Sequence, residues 1–486
     1  MNSQSMTTGR NAIRMAVWMC YLTVFAAKSC LAIDFLHDPF GVNVAVSPTI
    51  DKNMALAGVC GGLTLPTVLT MAEAVSRSLC NNPQTAQGWA GVKAQAASVG
   101  SAQAAYLPHL NASANVAKVA NRITIPDYPA ASSALSARSS DVNLSLNWVL
   151  YDFGLRAANL ESARQLLNAA VAAQDDVLQT VFLSTATSFN AAQAAQAGLL
   201  AAQDAEQAAA QSYRAAQAKY VAGAGSLADK LLAQTASASA VVQRVRADGD
   251  WQTALGGLAS VMGLRPDTPL QLADIGMEAE DVGPAPVFEK AVGELIEAAL
   301  SVHPKIIAAR ARLQSAQAQE EAAQAQGKPT LSLYMTGDRS DTPINQVASR
   351  QINNSRSIGL QINIPLLDGI SRNYQARGAQ AGVESAAAEL AETQRVVALE
   401  VWNSAKSLHT ETESAKATLI LIQSAQQSMV VAQGRYKAGV GTMLELLKAQ
   451  SELAAAGQQR IIALTRGQTA RLRLAASLAR LRMDVL

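Results

Sequence analysis

Tyr220-Val-Ala-Gly-Ala-Gly-Ser-Leu-Ala-Asp229 returns later in the chain as Tyr436-Lys-Ala-Gly-Val-Gly-Thr-Met-Leu-Glu445, at an offset of 436 − 220 = 216 residues. The same offset relates Asp152 to Asp368 and Gln234 to Gln450. Glu73, Pro83 and Pro108 match Glu294, Pro304 and Pro329 at an offset of 294 − 73 = 221. A repeat this long is no solenoid unit and indicates a duplicated half-protein with internal two-fold pseudo-symmetry.

Working outward from the two tip motifs, the run from Asp152 to Tyr220 and that from Asp368 to Tyr436 contain no proline. Each is expected as a long helix, 154–221 and 369–437, a rod of about 100 Å. Leu167, Leu178, Phe189 and Leu200 recur every 11 residues in the first, and Val397, Leu408, Leu419 and Val430 in the second, suggesting a nearly straight apolar stripe. After each glycine turn the chain returns as a shorter helix, 226–264 and 442–483. Ahead of each rod lie one helix, from about Thr70 to Ala105 and from Glu294 to Gln326, and a β-hairpin, 108–151 and 329–367. The clearest strand alternates Ile358, Leu360, Ile362 and Ile364 with Ser357, Gly359, Gln361 and Asn363, so one face is apolar and the other polar. One hairpin per half is not stable alone, so the strands must close with copies from other chains.

Charged residues are 16% and aromatics 4% of the 486, a composition suited to long helices packed through small side chains. The net charge of +2 supplies no basic stripe, which argues against nucleic acid as a partner. Arg10 and Arg14, the apolar run Met15 to Ala27 and Cys30-Leu-Ala32 read as a signal peptide over residues 1–32. A lipoprotein signal ending at Cys30 or Cys20 is the alternative, and Lys28 and the missing small-residue lipobox argue against it. No later stretch is apolar enough for a transmembrane helix, so any membrane insertion must use strands. Residues 33–62 form an N-terminal extension, 63–264 the first repeat, 265–289 a proline-rich linker and 290–486 the second repeat. Cys60 and Cys80 would meet an oxidising compartment, where either a disulfide or two free thiols is open.

The order of these elements, with Leu63-Thr-Leu leading to Glu73-Ala-Val and Asn82-Pro83, the turns at Asp152-Phe-Gly154 and Asp368-Gly369, and the two Tyr-x-x-Gly tips, resembles the TolC family of outer-membrane exit ducts. The resemblance covers nearly everything from Leu63 onward. It implies a mixed α/β channel-tunnel: a homotrimer whose four strands per protomer close an antiparallel transmembrane β-barrel in outer-membrane lipid, continued by a long α-helical periplasmic barrel. It implies as partners a periplasmic adaptor protein and an inner-membrane transporter, and the absence of a convincing lipid anchor leans toward the type I protein-secretion branch, whose transporter is of ABC type. Small-molecule efflux is the alternative, and a periplasmic coiled-coil scaffold without a channel a second one.

No enzyme, cofactor or metal site is expected. His37, His109, His303 and His409 lack metal-ligand spacing, and Gly327-Lys328-Pro329-Thr330 lacks the pattern of a phosphate loop. His303, isolated before Pro304, is expected at the surface. Candidate residues cluster at the tip: Tyr220, Asp229, Tyr436, Gly441, Glu445 and Lys448, with the turns at Gly223, Gly225, Gly439 and Gly441. Ser226 with Asp229, and Thr442 with Glu445, each fit a capping box. The resemblance instead makes the position of Glu445 line a periplasmic constriction, with a second acid where this chain has Lys448 and a restraining arginine where it has Gly441. Lys448 is expected to pair with Glu445 along the helix.

Overall fold

The computed structural model describes residue 40 and residues 68–273, 292–343, 350–367 and 370–481. The expected signal peptide, Cys60, most of the linker and the turn residues Asp368 and Gly369 lie outside the described residues. The elements run α1 (Met71–Asn81), α2 (Pro83–Ala104), β1 (His109–Ile123), β2 (Ser133–Tyr151), α3 (Leu155–Val221), α4 (Leu227–Val261), α5 (Val292–Val302), α6 (Pro304–Ala325), β3 (Thr330–Pro343), β4 (Arg350–Asn363), α7 (Ser371–Lys437) and α8 (Met443–Ser477). Helices at matching places have equal lengths: 11 residues in α1 and α5, 22 in α2 and α6, 67 in α3 and α7, 35 in α4 and α8. The return helices end at Val261 and Ser477, short of the expected 264 and 483.

Two compact units divide the chain. The first, built around Lys93–Leu167 and Gln314–Glu384, holds the strands. They form one antiparallel sheet in the order β1-β2-β3-β4. Ile358, Leu360 and Ile362 are 67%, 65% and 66% exposed, so the alternation read from the sequence is present but its apolar face is turned outward. The opposite face is polar and cross-linked: the Asn115 amide donates to Asp141 at 3.3 Å, the Asn143 amide donates to Asp338, and Thr336 and Ser357 share a bond of 2.7 Å.

The change from strand to helix is made by Asp152 and Arg156. Phe153 (φ 54°) and Gly154 (φ 98°) both take left-handed backbone, which reverses the chain within two residues. Asp152 then caps α3, accepting the Arg156 N–H at 3.0 Å and the Arg156 Nε at 2.8 Å. The rest of that guanidinium donates to the carbonyls of Val149 (2.7 Å) and Ala105 (3.4 Å) and covers the Tyr106 ring at 4.7 Å. In the second repeat Arg372 donates to the Gly327 carbonyl at 3.1 Å.

The second unit is helical and packs around four apolar clusters. Phe182 and Val181 of α3 meet Val75 and Leu79 of α1 and Leu472 of α8. Val397, Val401 and Leu408 of α7 meet Leu295 of α5, Ile306 of α6 and Leu474 of α8. Phe189 meets Leu258 of α4 and Met262, the residue that caps it, with Leu69, Leu270 and Leu272. Alanine supplies much of the remaining buried surface, including Ala169, Ala172, Ala186, Ala192, Ala197 and Ala209 of α3, so helices approach closely. The 11-residue stripe holds only in part: Leu178, Phe189, Val397 and Leu408 are buried, whereas Leu200, Leu419 and Val430 are exposed. An ideal helix overshoots three turns by roughly 20° in 11 residues, so the stripe rotates off the contact face, and Leu199 takes the buried place.

The helix expected to run unbroken to each hairpin is divided in both repeats, at Asn82 and at His303. Proline disfavours helical backbone in the residue before it and is well placed at the first position of the next helix. The residue before each proline caps that helix: Asn82 Oδ1 accepts the Gln84 N–H at 2.8 Å, and His303 Nδ1 accepts the Lys305 N–H at 3.2 Å. His303 is therefore 4% exposed and structural, not a surface residue as expected from its isolation. Lys305 reaches Glu400 at 3.5 Å and Asp176 at 4.0 Å beside it. Burial, with the Lys305 charge, holds the imidazole below its ordinary pKa, against the smaller opposing pull of Asp176 and Glu400.

A depressed folded pKa means that the unfolded chain takes up the proton first, so stability should fall as pH drops below about 6.5. His303→Asn, which copies the cap of the first repeat without a titrating group, should flatten that slope. Urea unfolding of wild type and variant between pH 7.5 and 5 measures it, and equal slopes would remove His303 as the cause.

Candidate functional site: the helical tip

The tip is where α3 turns into α4 and α7 into α8. Both turns close as Schellman motifs: the Ala224 N–H donates to the Lys219 carbonyl (2.8 Å) and the Gly223 N–H to Tyr220 (3.0 Å), as Val440 does to Arg435 (3.1 Å) and Gly439 to Tyr436 (3.2 Å). Gly223 and Gly439 carry the required positive φ of 73° and 78°. Gly225 and Gly441 are needed for a different reason. A Cβ on Gly441 would stand 2.9 Å from Arg435 Cβ and 3.0 Å from the Tyr436 nitrogen. A restraining arginine at 441, implied by the resemblance, has no room in this turn.

The return helices begin with hydroxyl caps, Ser226 accepting the Asp229 N–H (3.0 Å) and Thr442 accepting the Glu445 N–H (3.2 Å). Neither forms the reciprocal box expected from the sequence. Asp229 Oδ2 accepts from the Ser226 hydroxyl at 2.8 Å, and Glu445 Oε2 lies 3.4 Å from Arg435 Nε. The complete box is found at Thr70 and Glu73, at the start of α1. Lys448 is likewise not Glu445's partner. It reaches forward to Glu452 at 3.9 Å, and Arg435 satisfies Glu445 from the facing helix α7.

The matching tyrosines have diverged. Tyr436 is 9% exposed and packs with Ala216, Ala233, Met443 and Leu446, while Tyr220 is 40% exposed beneath Lys230. Lys219 lies 4.0 Å above the Tyr436 ring and donates to the Tyr436 carbonyl at 3.3 Å. Burial, and then the Asp229 charge, push the Tyr436 hydroxyl above its ordinary pKa. Gln450 of α8 donates to Ser212 of α3 at 2.8 Å. The two halves are thus stitched together at the tip by Lys219–Tyr436 and Gln450–Ser212.

Along α7 and α8, Ser428, Val431, Arg435, Glu445, Lys448 and Glu452 line a shallow groove. Arg435 and Lys219 are tip residues that the repeat motif alone does not single out. Their signal was a basic residue directly before each tip tyrosine. Cys80 is disulfide-bonded, and Cys60, its expected partner, lies outside the described residues. Among the described residues no His, Cys, Asp or Glu cluster is placed to hold a metal, and no helix is long and apolar enough to cross a membrane.

Residues 74–264 and 295–480, the two repeats, match the family described as outer membrane efflux protein. The chain belongs to that family. It is 31% identical over 396 residues to Protein CyaE of Bordetella pertussis, covering 81% of this chain and 80% of the relative. It is 25% identical over 395 residues to the outer membrane efflux protein BepC of Brucella suis, covering 79% and 80%. The fold is that of the outer membrane protein VceC of Vibrio cholerae, with a TM-score of 0.71 at 20% identity over 84% of this chain and 96% of that one. CusC gives a TM-score of 0.73 at 18% identity over 86% and 99%. This outer membrane efflux family member is accordingly a TolC-type channel protein, a mostly helical chain carrying a curled sheet.

The glycine at 441 gives a direct test of the tip. Gly441→Ala should cost about 1–3 kcal/mol of local stability through overpacking, and Gly441→Arg more. Hydrogen exchange should find the loss at the 436–446 amides and not in the sheet.

Proposed function

We propose that the protein is the exit duct of a tripartite export system, receiving substrate from an inner-membrane transporter through a periplasmic adaptor and releasing it outside. The observation that carries this reading is the sheet: four strands with an exposed apolar face, a hydrogen-bonded polar face and, among the described residues, two unpaired edges, β1 and β4. In lipid a free edge leaves backbone groups without partners, and closure removes it. Pairing β1 of one copy with β4 of the next, in a homotrimer, gives a closed twelve-stranded barrel with a polar, water-filled lumen. Tyr106, Trp148, Tyr151 and Phe153, exposed at the helical end of the strands, suit an interfacial aromatic girdle. A scaffold without a channel has no use for such an apolar face. The duct performs no chemistry of its own and needs no cofactor.

The relative named for efflux is the less similar of the two, at 25% identity against 31%, and we take type I polypeptide secretion ahead of small-molecule efflux as the substrate class. Deleting the gene in its host should stop release of a secreted polypeptide. Normal release together with new sensitivity to small toxic compounds would favour the efflux reading instead.

Light scattering in detergent should give the mass of a trimer, and a monomer as the only folded species would overturn the barrel. If Glu445 lines the constriction, three copies give an acidic ring partly offset by Arg435. Glu445→Gln keeps the Thr442 cap and frees Arg435, so planar-bilayer recordings should show weaker cation preference and weaker block by trivalent cations. Unchanged currents would leave Glu445 as the partner of Arg435 alone.

A further inference from the structure

The charges of the sheet are sorted by face. Register puts Leu110, Ala112, Ala114 and Val116 of β1 on the same face as Val142, Leu144 and Leu146 of β2, Leu333 and Met335 of β3, and Ile358, Leu360 and Ile362 of β4. Among strand residues whose side chains are described, every lysine and arginine stands on this apolar face: Lys118, Arg122, Arg138, Arg339 and Arg356. Asp141 and Asp338 stand on the polar face, where Asn115 and Asn143 hold them. Asp341 is the one acid on the apolar face.

The bases are also sorted along the strands. Lys118 comes two residues beyond Val116, Arg138 four before Val142, Arg339 four beyond Met335 and Arg356 two before Ile358. On all four strands the base follows the main apolar run at the hairpin-tip end, away from the helices, with Ile352 beyond it on β4. Lys118 and Arg138 are direct cross-strand partners, a like-charge pair that costs stability unless a counter-charge is supplied. All five residues are exposed, and among the described residues none of them is ion-paired, although Asp341 shares their face.

An apolar band that ends in a row of uncompensated cations fits one occupant: lipid whose acyl chains cover the band and whose phosphates meet the row. Resting on the outer-membrane reading, we propose that Lys118, Arg122, Arg138, Arg339 and Arg356 form a phosphate-binding rim for anionic lipid headgroups of the outer leaflet. The lumen-facing acids keep the opposite sign, so the rim draws phosphate to the outside of the barrel and not into it. Arginine, which can grip a phosphate through two parallel N–H bonds, supplies four of the five positions.

The test uses the full-length protein in neutral detergent and three probes: diphosphoryl lipid A, the same lipid stripped of its phosphates, and inorganic phosphate. Native mass spectrometry and thermal shift read binding. Wild type should bind the phosphorylated lipid about tenfold or more tightly than the stripped one, with little response to inorganic phosphate. The variant with all five residues changed to Gln should lose that preference. Because it could also fold poorly, the milder pair Lys118→Gln with Arg138→Gln is run beside it and should lose part of it. Equal binding of both lipids by wild type, as expected if an acidic protein were the true occupant, overturns the rim. So does a preference that survives in the variants, or protection by inorganic phosphate alone. Conductance of wild type in planar bilayers is scored separately: a conducting protein indifferent to lipid phosphate sinks the rim only, and a non-conducting one sinks the duct.

Discussion

The Asp152–Arg156 knot is the interaction on which the rest depends. A strand exposes its side chains with a period of two and a helix with 3.6, and a chain that changes from one to the other must reverse direction without stranding backbone groups. Asp152 takes the first N–H groups of α3, while Arg156 collects carbonyls left over at the ends of β2 and α2. One charged pair, only slightly exposed, therefore fixes where the sheet stops and where a 67-residue helix begins. Loss of either partner would leave the other charge without its mate and several carbonyls unsatisfied, which is far more costly than loss of a surface pair.

Duplication supplied this plan twice, and the two copies have since been assigned different tasks. Asn82 and His303 cap equivalent helices, yet only the second responds to pH. Lys219 and Arg435 precede equivalent tyrosines, but the lysine crosses to the other repeat and the arginine stays within its own hairpin. Such divergence lets a pseudo-symmetric tip hold itself together: a strictly symmetric pair of hairpins would offer two identical surfaces and no reason for one tyrosine to be buried by the other half.

Much of this was legible in the sequence. The strands were, because alternation of Ile358 to Ile364 with small polar residues survives whichever face meets solvent. The tip turns were, because only glycine tolerates the backbone at 223 and 439. The breaks at Pro83 and Pro304 were read through, since an alanine-rich flank looks helical on both sides and the capping residues Asn82 and His303 carry no periodic signal. The partner of Glu445 was missed for a different reason: Lys448 is near in sequence, while Arg435 is brought near only by the hairpin, and three-residue spacing competes poorly with the four-residue reach to Glu452. The 11-residue stripe failed toward the tip because its drift of roughly 20° per repeat adds up along the rod and carries it off the contact face.

The equality of helix lengths has an evolutionary corollary. The hairpins have drifted apart, with strands of 15 and 19 residues in one half and 14 and 14 in the other, but 67 still faces 67 and 35 still faces 35. Adding a residue to one long helix would lift its tip by about 1.5 Å and turn it by about 100° against its neighbours, spoiling Lys219–Tyr436 and Gln450–Ser212 at once. Insertions and deletions in the rods can therefore be inherited only as matched pairs, in both halves and in near-whole numbers of turns. The β-hairpins, whose strand lengths already differ between the halves, have taken changes of length that the rods have not.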